Sequence, residues 1–223
     1  MNGASTSIRG LSDYLAASAV AVLAAALFSL FGTHRQLPVL GTEPLLPVTL
    51  LAAAFGLGAS LVVTRRGICP AFKGFSWDGS LWLFILGSWL ALPPIAIDFY
   101  LRFPRDINLP LPDALFFYPA IALVAEVLFH LIPLAALVIL LPRKTPTAWH
   151  FLPVILVEPL FQAVFTTEAP LQSALVLGNV TLISAAQLWL FRRYGFAAMI
   201  GLRLAFYLIW HILWGTVRLD LLF

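Results

Sequence analysis

The chain has 223 residues, of which 61% are hydrophobic and 10% charged, more apolar material than a water-soluble domain of this length can hide in one core. Its apolar runs are roughly 20 residues long and lack the ~10-residue alternation of barrel strands, so the expected fold is all-α, a polytopic membrane helical bundle. A net charge of +3 is accounted for by loop residues and gives no separate argument for a nucleic-acid partner.

About seven transmembrane helices are expected, over residues 11–31, 45–63, 81–100, 115–141, 150–165, 171–191 and 196–217. Pro, Gly and charged residues punctuate the intervening segments. The first run has no small-residue cleavage site after a short apolar core, and is read as a retained span. The fifth is short and carries His150, Glu158 and Pro159, which leaves a full span, a broken helix and a re-entrant segment open.

With seven spans, Arg9, Arg65, Arg66, Lys73, Arg143, Lys144, Arg192 and Arg193 fall on one side, and Arg35, Arg102, Arg105 and Arg218 on the other. The excess puts the N-terminus inside a cytoplasmic membrane, of bacterial or archaeal type. Trp77, Trp82, Trp149, Trp189 and Trp214 lie near span ends, where interfacial indoles are expected. A single cysteine, Cys69, cannot form an internal disulfide, and no nearby base marks it as reactive. No GxGxxG, Walker-type loop, CxxC or HExxH string is present, which argues against nucleotide chemistry and the commonest zinc-protease pattern.

Polar residues concentrate in the later spans. The segment from Asp98 to Pro112, rich in proline and charge, reads as a connecting loop or as a lip along the interface beside the fourth span. In that fourth span Glu126 stands one turn before His130, on a shared helix face. A carboxylate at bilayer depth costs about 3 kcal/mol even on lenient scales, which makes the pair a functional candidate beside a purely packing role. Pro133 follows, and its missing N–H loosens the ladder bond to Phe129. The fifth span repeats the device with Glu158 and Gln162, four apart around Pro159; ligation, water orientation and capping of freed carbonyls all suit it.

The sixth span places Asn179, Ile183 and Gln187 on one face beside Thr181 and Ser184, a pattern that ties helices together at about 1 kcal/mol per contact. In the last span Arg203, Tyr207, His211 and Gly215 recur at steps of four. This lays a guanidinium, a phenol, an imidazole and a gap along one stripe that cannot comfortably face lipid. Arg203 needs an intramembrane counter-charge, for which Glu126, Glu158 and Asp98 are the available carboxylates.

The string Ala125-Glu126-Val127-Leu128-Phe129-His130, the Arg192-Arg193-Tyr194-Gly195-Phe196 hairpin and Tyr207-Leu208-Ile209-Trp210-His211 together resemble the CPBP family of intramembrane proteases, which includes the CAAX prenyl endopeptidases and bacteriocin-processing proteins. The family's motifs read Glu-Glu-x-x-x-Arg, Phe-x-x-x-His and His-x-x-x-Asn or Asp. The resemblance covers about 115–215 and implies a variable N-terminal part, 1–112, followed by a core, 113–223. Glu126 matches the second glutamate of the first motif, Phe129 its aromatic and His211 the histidine of the third. Ala125 stands at the first glutamate, His130 at the arginine, Phe165 at the second motif's histidine if Phe161 is its aromatic, and Gly215 at the closing Asn or Asp.

The resemblance implies hydrolysis of a peptide bond in a membrane-associated or prenylated substrate, by a water that glutamate and histidine activate. Glu126 is then the base, and His211 or His130 polarises the carbonyl, with Arg203, Tyr207 and Gln162 in support. Glu126, His130, Glu158 and His211 equally make a ligand set acceptable to zinc or another divalent ion. The alternative is a catalytically inactive relative that keeps the cavity as a scaffold, or as a site for a lipid or membrane partner. A small carrier is a third possibility, which no inverted repeat encourages.

Overall fold

The computed structural model describes residues 3–34, 37, 40–66, 77–141, 148–165 and 170–223. Among these there is no β-strand, and the chain forms helices α1 (Gly3–Phe31), α2 (Leu45–Arg65), α3 (Trp77–Leu101), α4 (Asp113–Glu126), α5 (Ile132–Leu140), α6 (Leu152–Phe165), α7 (Pro170–Tyr194), α8 (Phe196–Tyr207) and α9 (Gly215–Leu222). Two of the joints are single π-helical stretches, Val127–Leu131 between α4 and α5 and Leu208–Trp214 between α8 and α9. Each pair therefore runs as one rod, Asp113–Leu140 and Phe196–Leu222.

Six helical stretches are long and apolar enough to cross a membrane, and the protein is a multi-pass membrane bundle. The remaining expected span is α6, whose 14 residues rise about 21 Å at 1.5 Å each. A 3₁₀ turn, Ala148–Phe151, precedes it and adds about 8 Å at 2 Å per residue. The guanidinium of Arg192, at the end of α7, lies 4.5 Å from the ring centre of Phe151, the last residue of this turn, just before α6. Helices α6 and α7 thus form an antiparallel pair. Cys69, Lys73, Arg35, Arg143 and Lys144, and the side chains of Arg9 and Trp77, lie outside the described residues.

The α4–α5 rod is the hub. From Ala120 to Val127 every residue is buried, and a helix apolar on all faces must have neighbours on all of them. Ala120, Ala122 and Ala125 keep its surface thin enough for close approach. Helices α1 and α2 pack on one side, where Tyr14 donates to the Ala53 carbonyl at 2.8 Å and meets the edge of Phe196 at 5.0 Å. A Cβ at Gly56 would run into the Tyr14 hydroxyl and come within 2.5 Å of Val127 Cγ2, so glycine permits this three-way contact. Opposite, α3 crosses α8 at Gly87, where a Cβ would stand 2.7 Å from Ala205 Cβ. The α7–α8 turn is a single Gly195 with φ of +89°, a conformation L side chains rarely adopt.

Arg218, expected just beyond the last span, is instead fully buried on α9. It forms a two-point pair with Asp98 of α3, at 2.6 and 2.8 Å, and also donates to the Phe103 carbonyl at 2.7 Å. Asp98 additionally accepts from Phe103 N and Trp214 Nε1, both at 2.8 Å. This clamp fastens the chain after α3 to the last rod. Asp98 is thereby occupied, and it is not the counter-charge of Arg203.

Candidate functional site: a closed polar cluster beside an apolar cavity

Glu126 ends α4, and the first π stretch begins at the next residue. Pro133 has no N–H for the ladder, and the widened turn sits just before it. The carboxylate is fully buried. Its Oε1 accepts from Arg203 Nε at 2.5 Å and, in a short contact, from Gln187 Nε2. Its Oε2 lies 3.0 Å from His130 Nδ1, out of line for a hydrogen bond. His130 is equally buried, and its Nε2 has no partner among the described residues.

Arg203 joins this corner to α6. Its Nη1 donates to Glu158 Oε1 at 2.8 Å and to the Tyr207 hydroxyl at 3.2 Å. Its Nη2 donates to Glu158 Oε2 at 2.6 Å and to Gln187 Oε1 at 3.3 Å. With Nε on Glu126, each of the five guanidinium N–H groups has an acceptor. Glu158 also accepts from Gln162 Nε2 at 3.3 Å. In a low-dielectric interior such a pair is tolerable only when every charge is answered in this way.

The third polar group is His211, in the second π stretch. Its Nδ1 meets Asn108 Oδ1 at 2.6 Å. An amide oxygen only accepts, so Nδ1 carries the proton and Nε2 of the neutral ring offers a lone pair. Tyr118 stacks on the imidazole at 4.6 Å, and Tyr207 meets it edge-on at 4.9 Å. Asn108 fits there because Gly215 is bare: a Cβ at that position would lie 3.0 Å from Asn108 Nδ2. The Asp98–Arg218 clamp holds the approach to this loop, whose Phe103 and Ile107 line the cavity beside the Asn108–His211 contact.

Beside these groups lies a cavity of about 290 Å³. Its wall is mostly apolar, with Pro94, Ile97, Phe117, Ile121, Ala125, Phe129, Phe161, Val180, Phe206 and Trp210 among the lining residues. The polar part of the wall comes from Tyr118, Glu158, Gln162, Asn179, Arg203, Tyr207 and His211. Glu126 and His130 do not reach it and sit behind Arg203.

The sequence-based residues are therefore gathered in two groups. Glu126, His130, Glu158 and Arg203 make one cluster, with Tyr207 and Gln162 at its edge; His211 belongs to a separate arrangement with Asn108. The four-residue metal cage is not formed: among the described residues no three His, Cys, Asp or Glu side chains are gathered so as to hold an ion. Arg203 occupies the space between the carboxylates and supplies the positive charge there, so this donor set does not fit a divalent cation. Gln187 does tie helices together, whereas Asn179 Oδ1 has no partner among the described residues. Asn108 and Tyr118 were not anticipated; the gap at Gly215 is the one sequence signal that a side chain from elsewhere must fill.

This is a multi-pass helical membrane protein with a largely apolar cavity between its helices and a closed ionic cluster at the cavity wall. Comparison with protein families, curated proteins and solved structures finds no match.

Proposed function

We propose that the protein is a non-hydrolytic, membrane-embedded binding protein that holds an apolar chain with a polar end in this cavity. The observation that carries the reading is the closure of both carboxylates around Arg203. A general base must have a lone pair within reach of the water it activates, and Glu126 is off the wall while both Glu158 oxygens face the guanidinium. A concave, largely apolar space with a few fixed polar groups is the usual form of a small-molecule site. The bilayer itself supplies such ligands.

The test is what co-purifies. Protein extracted from its native membrane is expected to carry an amphiphile at about one per chain, detected by native mass spectrometry. Ala125→Phe, which fills the wall, should lose it. An empty wild-type protein, or equal occupancy in Ala125→Phe, overturns the reading.

A second reading, an intramembrane peptidase of CPBP type acting on a membrane-associated substrate, is favoured by the Asn108–His211 pair. In the resembled family the third motif ends in Asn or Asp; here Gly215 leaves that place open and Asn108 enters it. His211 Nε2 would be the base and the Tyr207 hydroxyl the oxyanion donor. Membranes from a strain lacking the protein, incubated with it, would then yield new peptide termini that vanish with His211→Ala. No termini from wild type above those from His211→Ala removes this reading.

We also propose that the N-terminus lies inside, on the distribution of basic residues. The antiparallel α6–α7 pair puts the start of α6 on the side of Arg192 and Arg193, in keeping with that orientation.

A further inference from the structure

Resting on the binding reading, we infer that the ligand's polar end is an uncharged primary amide on an apolar chain. The argument is a count of the hydrogen-bonding capacity left open on the wall. Arg203 has no donor to spare, since its five N–H groups are taken by Glu126, Glu158, Tyr207 and Gln187. An anionic head would enter the cavity without a counter-charge, at a large desolvation cost.

Four functions remain open. Tyr207 oxygen accepts from Arg203, a cation that only donates, so its own O–H is directed elsewhere, and it donates no hydrogen bond among the described residues. His211 Nε2 is an acceptor, because Nδ1 is committed to Asn108. Asn179 Oδ1 is a second acceptor and its NH2 a second donor; the residue is only 7% exposed, lines the cavity and has no partner for this oxygen among the described residues. A buried unpaired acceptor calls for a donor.

The two acceptors on the wall call for two ligand N–H bonds, and the two donors, the Tyr207 O–H and the Asn179 NH2, call for a ligand oxygen with two lone pairs. A primary amide carries one carbonyl and two N–H bonds. A carboxylate has no donor, an ammonium has no acceptor, and an alcohol has a single O–H. The neighbouring Tyr207 and His211 rings, 4.9 Å apart, are placed to take the carbonyl and one N–H; Asn179, from α7, takes the other. The aromatic and aliphatic wall takes the chain.

The experiment uses full-length protein in nanodiscs and four probes of one chain length: oleamide, oleate, oleylamine and oleyl alcohol, each titrated against a fluorescent fatty amide. Oleamide is expected to bind at least about tenfold more tightly than the other three, the worth of one properly paired buried hydrogen bond. Asn179→Leu and Tyr207→Phe should each weaken oleamide binding by about tenfold. Equal binding of all four probes by wild type, or a preference for oleate or oleylamine, overturns the amide inference and leaves the binding reading standing. No displacement by any probe overturns both. The wild-type series is decisive by itself, so a variant that fails to fold does not shelter the proposal.

Discussion

Replacing Arg203 with Met tests the closed cluster most directly. The substitution keeps an unbranched, helix-compatible side chain of similar reach but removes five N–H donors and one positive charge. Glu126 and Glu158 are 0% and 2% exposed, and each would face an interior with no cation between them. Breaking a buried pair by removing one partner costs about 3–5 kcal/mol, most of it the penalty for the stranded charge. Two carboxylates share this one cation, so the upper end of that range is expected.

Arg203→Lys supplies three donors in place of five and cannot reproduce the two-point contact with Glu158; an intermediate loss of about 2 kcal/mol follows. The triple variant Arg203→Met, Glu126→Gln, Glu158→Gln removes the stranded charges and should recover at least half of what Arg203→Met loses. Reversible unfolding by SDS in mixed bicelles gives the free energies. A loss below about 1 kcal/mol in Arg203→Met, or a triple variant no more stable than the single one, would refute the reasoning, since both results require carboxylates that are not confined without their partner.

Three further outcomes are expected. Asp98→Asn should destabilise by about 3–5 kcal/mol, because it strands the fully buried Arg218, and limited proteolysis should then cut within 102–108; resistance equal to wild type would show that the clamp does not hold that segment. Gly56→Ala should cost about 1–3 kcal/mol through its clash with Tyr14 and Val127, and pairing it with Val127→Ala should return part of the loss in the same unfolding assay. For orientation, Tyr194→Cys in a Cys69→Ser background should react with an impermeant maleimide in inside-out vesicles and not in intact cells; the opposite pattern would reverse the assignment.

The bundle was legible because bilayer length and apolar composition act on each segment separately. A run such as 45–63 needs no knowledge of its neighbours to be read as a helix, and α2 follows it to within two residues. The shortness of the fifth run was equally visible, and α6 has only 14 residues. Glu126, Glu158 and Arg203 were legible for a related reason: a charge in an apolar run has to find an opposite charge, and few candidates exist. Their choice among those candidates was not legible. Asp98 and the two glutamates are chemically equivalent as partners, and only the packing of α3 against the Leu208–Trp214 stretch that leads into α9 gives Asp98 to Arg218.

The same logic explains why Asn108 escaped notice while His211 did not. A histidine inside a span is conspicuous, whereas an asparagine in a proline-rich connection is ordinary, and nothing local ties the two across 103 residues. The link runs through an absence, the missing side chain at Gly215, and an absence acquires meaning only when a neighbour fills it. It follows that the stripe of Arg203, Tyr207, His211 and Gly215 is not one site with four members. Its first residue is consumed in holding α4, α6 and α7 together, its last makes room for a loop, and only Tyr207 and His211 turn free hydrogen-bonding capacity toward the cavity. Helical spacing identified the face, but each residue's role depends on whether its partners use up its donors and acceptors, which periodicity does not encode.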